Sequence, residues 1–145
     1  MSTESLPDGP DRDELIGLIG ERWPHAAVAR IEGAIFFSLD DRHWPNFATI
    51  VWTDDFDEGA PSKLFRPGVY RVNIGLDKAA FQRLVGGVPD PDYATFDQVL
   101  PHPVYAKQRW VSILNPSRAT VRDIVLPLIA ESHDRLVAQR ERQRR

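Results

Sequence analysis

Hydrophobic positions along the chain change period several times, and each change marks an element. Leu15, Leu18, Ile19 and Trp23 (or Ile16) recur at helical spacing behind Asp11 or Asp13, and Pro24 closes the run, which predicts an amphipathic N-terminal helix. Over residues 27–39 the pattern alternates and then turns apolar around Glu32-Gly33, predicting two strands joined by a tight turn. Asp40, Asp41 and Pro45 interrupt it before a third strand over 47–53. Asp54, Asp55, Asp57, Glu58, Gly59 and Pro61 then make a hydrophilic loop without regular structure, continuing to the Pro67-Gly68 turn.

A strand is predicted over 69–76, followed by a helix over 77–85 capped by Asp77 and ended by Gly86-Gly87, with Phe81, Leu84 and Val85 facing inward. Residues 94–100 read as a short helix or turn, and 109–114 as another strand. The longest helix is predicted over 119–142, with Thr120 and Asp123 spaced as a capping box. Its core stripe is Val121, Ile124, Val125, Leu128, Ser132 and Leu136, and Pro127 inside it implies a kink or a delayed start. The strands follow one another without crossover helices. The expected fold is therefore α+β: a mainly antiparallel sheet with the N-terminal helix and the long C-terminal helix packed on one face. Residues 1–10 read as a disordered tail and 11–142 as a single domain.

Composition narrows the function classes. A chain of 145 residues suits one core, and no stretch approaches the ~20 apolar residues that span a bilayer, so no membrane partner is expected. The polar, acidic N-terminus lacks a secretory pattern, and cytoplasmic location is the default. The absence of cysteine excludes disulfides, thiolate metal sites and a cysteine nucleophile. His25, His43, His102 and His133 lack zinc-site spacing, and the acidic loop lacks the calcium-loop pattern, so no metal is expected. Ser62, Ser112 and Ser117 lack a nucleophile-elbow context, and no glycine loop cradles phosphate, so no cofactor is expected either.

Charge is unevenly spread, with 17 acidic and 9 basic side chains in residues 1–100 against 4 acidic and 9 basic in 101–145. The terminal Arg140-Glu141-Arg142-Gln143-Arg144-Arg145 reads first as a solvated helix end suited to the helix dipole. A nucleic-acid partner is the less favoured alternative, since the sequence pI is near 5.8.

Three polar interruptions in strand-like runs are the candidate chemistry. On the strand over 69–76, Val69, Arg71 and Asn73 point one way while Tyr70, Val72 and Ile74 point the other. Packing would explain this by a solvent-facing sheet surface on which Arg71 pairs with an acid from a neighbouring strand. Function would explain it by a concave surface where Arg71 and Asn73 bind an anionic or carbonyl-bearing ligand. His102-Pro103-Val104-Tyr105 restricts the backbone where a loop enters a strand, as a packed turn or a positioned base requires. The third interruption is Trp110-Val111-Ser112-Ile113-Leu114-Asn115-Pro116-Ser117.

The leading reading is a domain that binds a small polar or anionic molecule, or a protein partner, at Arg71 and Asn73, with His102, Tyr105 and Asn115 at the rim. An enzyme with His102 as general base and Arg71 stabilising an oxyanion is the alternative, and nucleic-acid binding through the terminal helix is the third.

The strings Phe47-Ala48-Thr49-Ile50-Val51, residues 66–75, Leu100-Pro101-His102-Pro103-Val104-Tyr105, and residues 110–116 give the chain a resemblance to an uncharacterised family of small actinobacterial proteins known only as a domain of unknown function. The likeness covers residues 12–137 and implies no activity. More distantly, a strand containing Trp110 followed by a terminal helix with Ser132 is similar to the MmcQ/YjbR-like family, an α+β fold for which DNA binding has been suggested. This chain departs from that pattern with Ser132-His133 in place of Ser-Tyr and with Gln108-Arg109 before the tryptophan.

Overall fold

In a computed structural model that describes residues 5–40 and 45–144, the alternating segments form one six-stranded antiparallel sheet. Its strands are β1 (Ala27–Ile31), β2 (Ala34–Ser38), β3 (Asn46–Val51), β4 (Arg71–Gly75), β5 (Leu100–Pro101) and β6 (Trp110–Leu114), in spatial order β1-β2-β3-β4-β6-β5. Residues 1–4, Asp41, His43 and Arg145 of the expectations above lie outside the described residues. Gly33 closes the β1–β2 turn with a φ of 82°, and a side chain there would also collide with Thr53. The second edge of the sheet is short, because only Leu100 and Pro101 pair with Ser112 and Val111.

Three helices cover one face: α1 (Arg12–Arg22), α2 (Lys78–Val85) and the C-terminal helix. Asp11, one of the two caps the pattern offers, caps α1 by accepting from Glu14 N at 2.8 Å, and Asp77 caps α2 as expected by accepting from Ala80 N at 2.8 Å. Leu15 and Ile19 of α1 join Ile35, Ile50, Val72, Ile74, Val111 and Ile113 in one fully buried cluster.

The C-terminal helix departs from expectation in its first turns. Its cap is Ser117, whose Oγ accepts from Thr120 N at 3.2 Å, rather than a Thr120/Asp123 box. It then runs through α3 (Arg118–Thr120), a π-helical stretch Val121–Val125 and α4 (Leu126–Gln143). Pro127 has no N–H for a regular helical bond and its ring crowds the preceding turn, and widening that turn accommodates both effects. Val121, Val125, Leu128, Ser132 and Leu136 are buried as the stripe predicts, with Ile129 added, and Ser132 donates to Phe47 O at 3.1 Å.

Residues 94–100 contain no helix. Phe96 instead makes an isolated parallel bridge to Leu114 and the chain enters β5. Residues 5–10, which composition reads as tail, make defined contacts: Asp8 O accepts from Arg118 N at 3.1 Å, and Pro10 O accepts from the buried Tyr70 hydroxyl at 2.8 Å. Burial, with Asp11 and Glu14 nearby, raises the Tyr70 pKa and keeps that hydroxyl protonated as a donor.

Candidate functional site

The site lies on the sheet face turned away from the helices, and this face is not the open surface that alternation implies. The connection between β3 and β4 folds back across it. A 3-10 turn at Asp54–Phe56 starts that return, and Asp54 braces it by accepting from Leu64 N at 2.9 Å and Phe65 N at 3.1 Å. Leu64 then packs with Ala34, Val51, Val69 and Leu114 in a second, smaller apolar cluster. Two polar residues of the same loop are carried under cover: Asp57 and Ser62 are buried, although both read as ordinary loop residues in the sequence.

Both meet Arg71, which is 1% exposed. Its Nη1 ion-pairs Asp57 Oδ2 and donates to Ser62 Oγ at 2.9 Å, and its Nε donates to Asn73 Oδ1 at 2.8 Å. The acid therefore comes from the crossing loop rather than from a neighbouring strand. Asn73 is the centre of a row across three strands, donating to Thr49 Oγ1 at 2.9 Å and accepting from Ser112 Oγ at 2.9 Å. The register sets this row, since Thr49 and Ser112 are the pairing partners of Asn73 on either side. A buried guanidinium needs this degree of satisfaction, because a buried charge without partners is strongly destabilising.

The remaining nitrogen, Nη2, is less engaged. It has a long 3.5 Å contact with Asp57 Oδ1 and stands 3.5 Å from His102 Nε2. His102 is 4% exposed, so it forms part of the wall rather than the rim. Its Nδ1 accepts from Val104 N and Tyr105 N, both at 3.0 Å. Those two donors leave no room for a proton on Nδ1, so the neutral ring carries its hydrogen on Nε2. Burial first, and the Arg71 charge second, push the His102 pKa down to about 3, with Asp57 opposing them.

A cavity of about 450 Å³ opens above this network. Arg71, Asn73, His102 and Tyr105 all line it. Tyr105 stands at the mouth, 53% exposed, its ring centroid 5.1 Å from that of His102. Phe36, Phe56 and Trp110 supply further aromatic wall, and Trp110 lies across Gly75, where a Cβ would come within 2.9 Å of the indole. Asn46 also lines the cavity, and its buried Oδ1 has no hydrogen-bond partner among the described residues.

The fifth predicted site residue, Asn115, is elsewhere. It is buried behind the start of β4, where Oδ1 accepts from Tyr70 N at 3.1 Å and Nδ2 donates to Gly68 O at 2.9 Å. It therefore holds the Pro67-Gly68 turn onto β6 and does not line the cavity. Sequence reasoning missed Asp57, Ser62, Thr49, Asn46, Phe36 and Phe56. The one signal available was the need of a strand-borne arginine for an acid.

Residues 10–145 match the profile of a family of unknown function, DUF6194. The chain belongs to DUF6194. No curated protein and no solved structure matched it. The match takes in every element of this DUF6194 chain from α1 onward, including the whole Arg71 network and its cavity.

Proposed function

We propose that this chain binds a small molecule in the cavity between the sheet and the β3–β4 loop. What carries the reading is the meeting of a polar floor with aromatic walls around about 450 Å³, within the size range of small-molecule sites. Apolar walls supply affinity in such sites, and a few fixed polar groups orient the ligand. The concave shape favours a small molecule over a protein surface.

The hydrogen bonding of His102 favours a donor over a general base. A base must offer a free lone pair, whereas Nδ1 is taken by two backbone amides and Nε2 carries the proton. The nucleic-acid reading draws less support, because Arg140 pairs with Asp40 and Arg135 Nη2 reaches Gly75 O.

The test is a thermal-shift screen of small polar and aromatic compounds against the wild type and Tyr105→Ala. The Tyr105 ring is largely exposed, so the variant retains its fold. A ligand present at about 100 times its Kd adds ~2.7 kcal/mol of stability to the wild type. Tyr105→Ala is expected to lose most of that shift. A screen in which hits stabilise both proteins equally, or in which nothing binds, defeats the proposal.

A further inference from the structure

We propose that the ligand of this cavity is an uncharged planar ring bearing a carboxamide or lactam group, its carbonyl oxygen held by His102 Nε2–H and Arg71 Nη2 and its N–H held by Asn46 Oδ1. The inference rests on the small-molecule reading above and adds the chemical class.

Charge balance is the first support. The charged groups lining the cavity among the described residues are Arg71 and Asp57, which are opposite in sign, paired, and each only 2% exposed at the side chain. His102 adds no charge at neutral pH. The guanidinium is already neutralised, so an anion entering here would bring a charge without a counter-charge into a poorly hydrated space. A neutral ligand meets no such penalty.

The second support is the arrangement of donors. Nδ1 of His102 is committed to the backbone, so its hydrogen sits on Nε2, beside the under-used Arg71 Nη2 at 3.5 Å. Two donors cannot satisfy one another, and one sp² oxygen with two lone pairs can accept from both. The third support is the opposite polarity of Asn46, a cavity-lining residue whose buried Oδ1 accepts no hydrogen bond among the described residues. A carboxamide carries both complements, and Tyr105 and Trp110 are among the aromatic residues that line the cavity around an aromatic body.

The experiment titrates the full chain with benzamide, benzoate and acetophenone, following the Trp110 indole and Asn46 side-chain amide signals by NMR. Affinities of fragments this small are on the order of millimolar. Benzamide is expected to perturb both signals and to bind at least about threefold more tightly than either analogue, the discrimination of one neutral hydrogen bond. The variant His102→Asn keeps an acceptor for the Val104 and Tyr105 amides while removing the distal donor, and is expected to weaken benzamide about three- to tenfold. Benzoate binding as tightly as benzamide overturns the uncharged class and leaves the small-molecule reading standing. Acetophenone binding as tightly overturns the role of Asn46 and with it the amide. If none of the three perturbs these signals, the carboxamide class fails; the small-molecule reading fails separately, only if the wider thermal-shift screen also finds no cavity ligand.

Discussion

Across the central strands β2, β3, β4 and β6 the two faces of the sheet are both buried, but by different physics. On the helix side, Ile35, Ile50, Val72, Ile74, Val111 and Ile113 meet α1, α2 and the C-terminal helix in one apolar cluster, with Ser132 to Phe47 O and Arg135 to Gly75 O as polar contacts between that last helix and the sheet. On the loop side, the same strands present Thr49, Arg71, Asn73 and Ser112, and a loop covers them by bringing Asp57 and Ser62 to the guanidinium. The first face is held by area removed from water, which is tolerant and additive. The second is held by a small apolar cluster around Leu64 and by a set of charge-assisted bonds, in which one missing member leaves the others unpaired in a dry place. A tolerant face suits a scaffold. The other face sets fixed donors beside a cavity, and the proposed ligand binding rests on it.

The sharpest way to break this comparison is to remove one partner of the ion pair. Arg71→Met strands the Asp57 carboxylate and is expected to cost about 3–5 kcal/mol, read as a fall in the urea midpoint. Arg71→Met combined with Asp57→Leu should recover most of that loss, since no charge is then buried alone. If the double variant is as unstable as the single one, the loop face is held by packing and the contrast with the helix face disappears.

Acid should separate the faces next. The unfolded chain protonates His102 near its ordinary 6.5, whereas the folded chain refuses the proton down to about 3. Stability from this residue is therefore complete above pH 6.5 and declines as the pH falls through that window, by about 1.4 kcal/mol per unit for one proton. His102→Asn should flatten the decline in that interval. An unchanged slope would place the acid sensitivity elsewhere.

The smallest effect is expected on the helix face. Ile113→Val removes one methylene from a fully buried position and should cost about 0.5–1.5 kcal/mol, with no change in fragment binding. A loss of binding in that variant would show that the two faces are coupled.

Much of the scaffold was legible in the residues. Alternation placed five of the six strands, all but the short β5, while Asp11 or Asp13 and Asp77 marked two helix starts and Pro127 marked the disturbed turn of the third helix. The polarity of Arg71 and Asn73 on one strand face, and the constrained His102-Pro103-Val104-Tyr105 turn, pointed to the four residues that line the cavity. The partners were not legible, because Asp57 and Ser62 sit 14 and 9 residues from Arg71 in a stretch whose composition says only that it is a loop. Asn115 bonds Tyr70 N and Gly68 O instead of lining the cavity. A polar residue at a strand end looks alike whether it faces a cavity or staples a turn.

Sequence by itself determined the periods of the main elements, the Asp77 cap, and which strand face would be polar, because these depend on neighbours a few positions apart. Only the tertiary structure decided that the polar face would be roofed rather than wet and which acid would meet the arginine. Those outcomes depend on the path of the β3–β4 loop over the sheet. That path is set by apolar anchors such as Leu64 packing against residues from distant strands, a balance over the whole chain that no local pattern records.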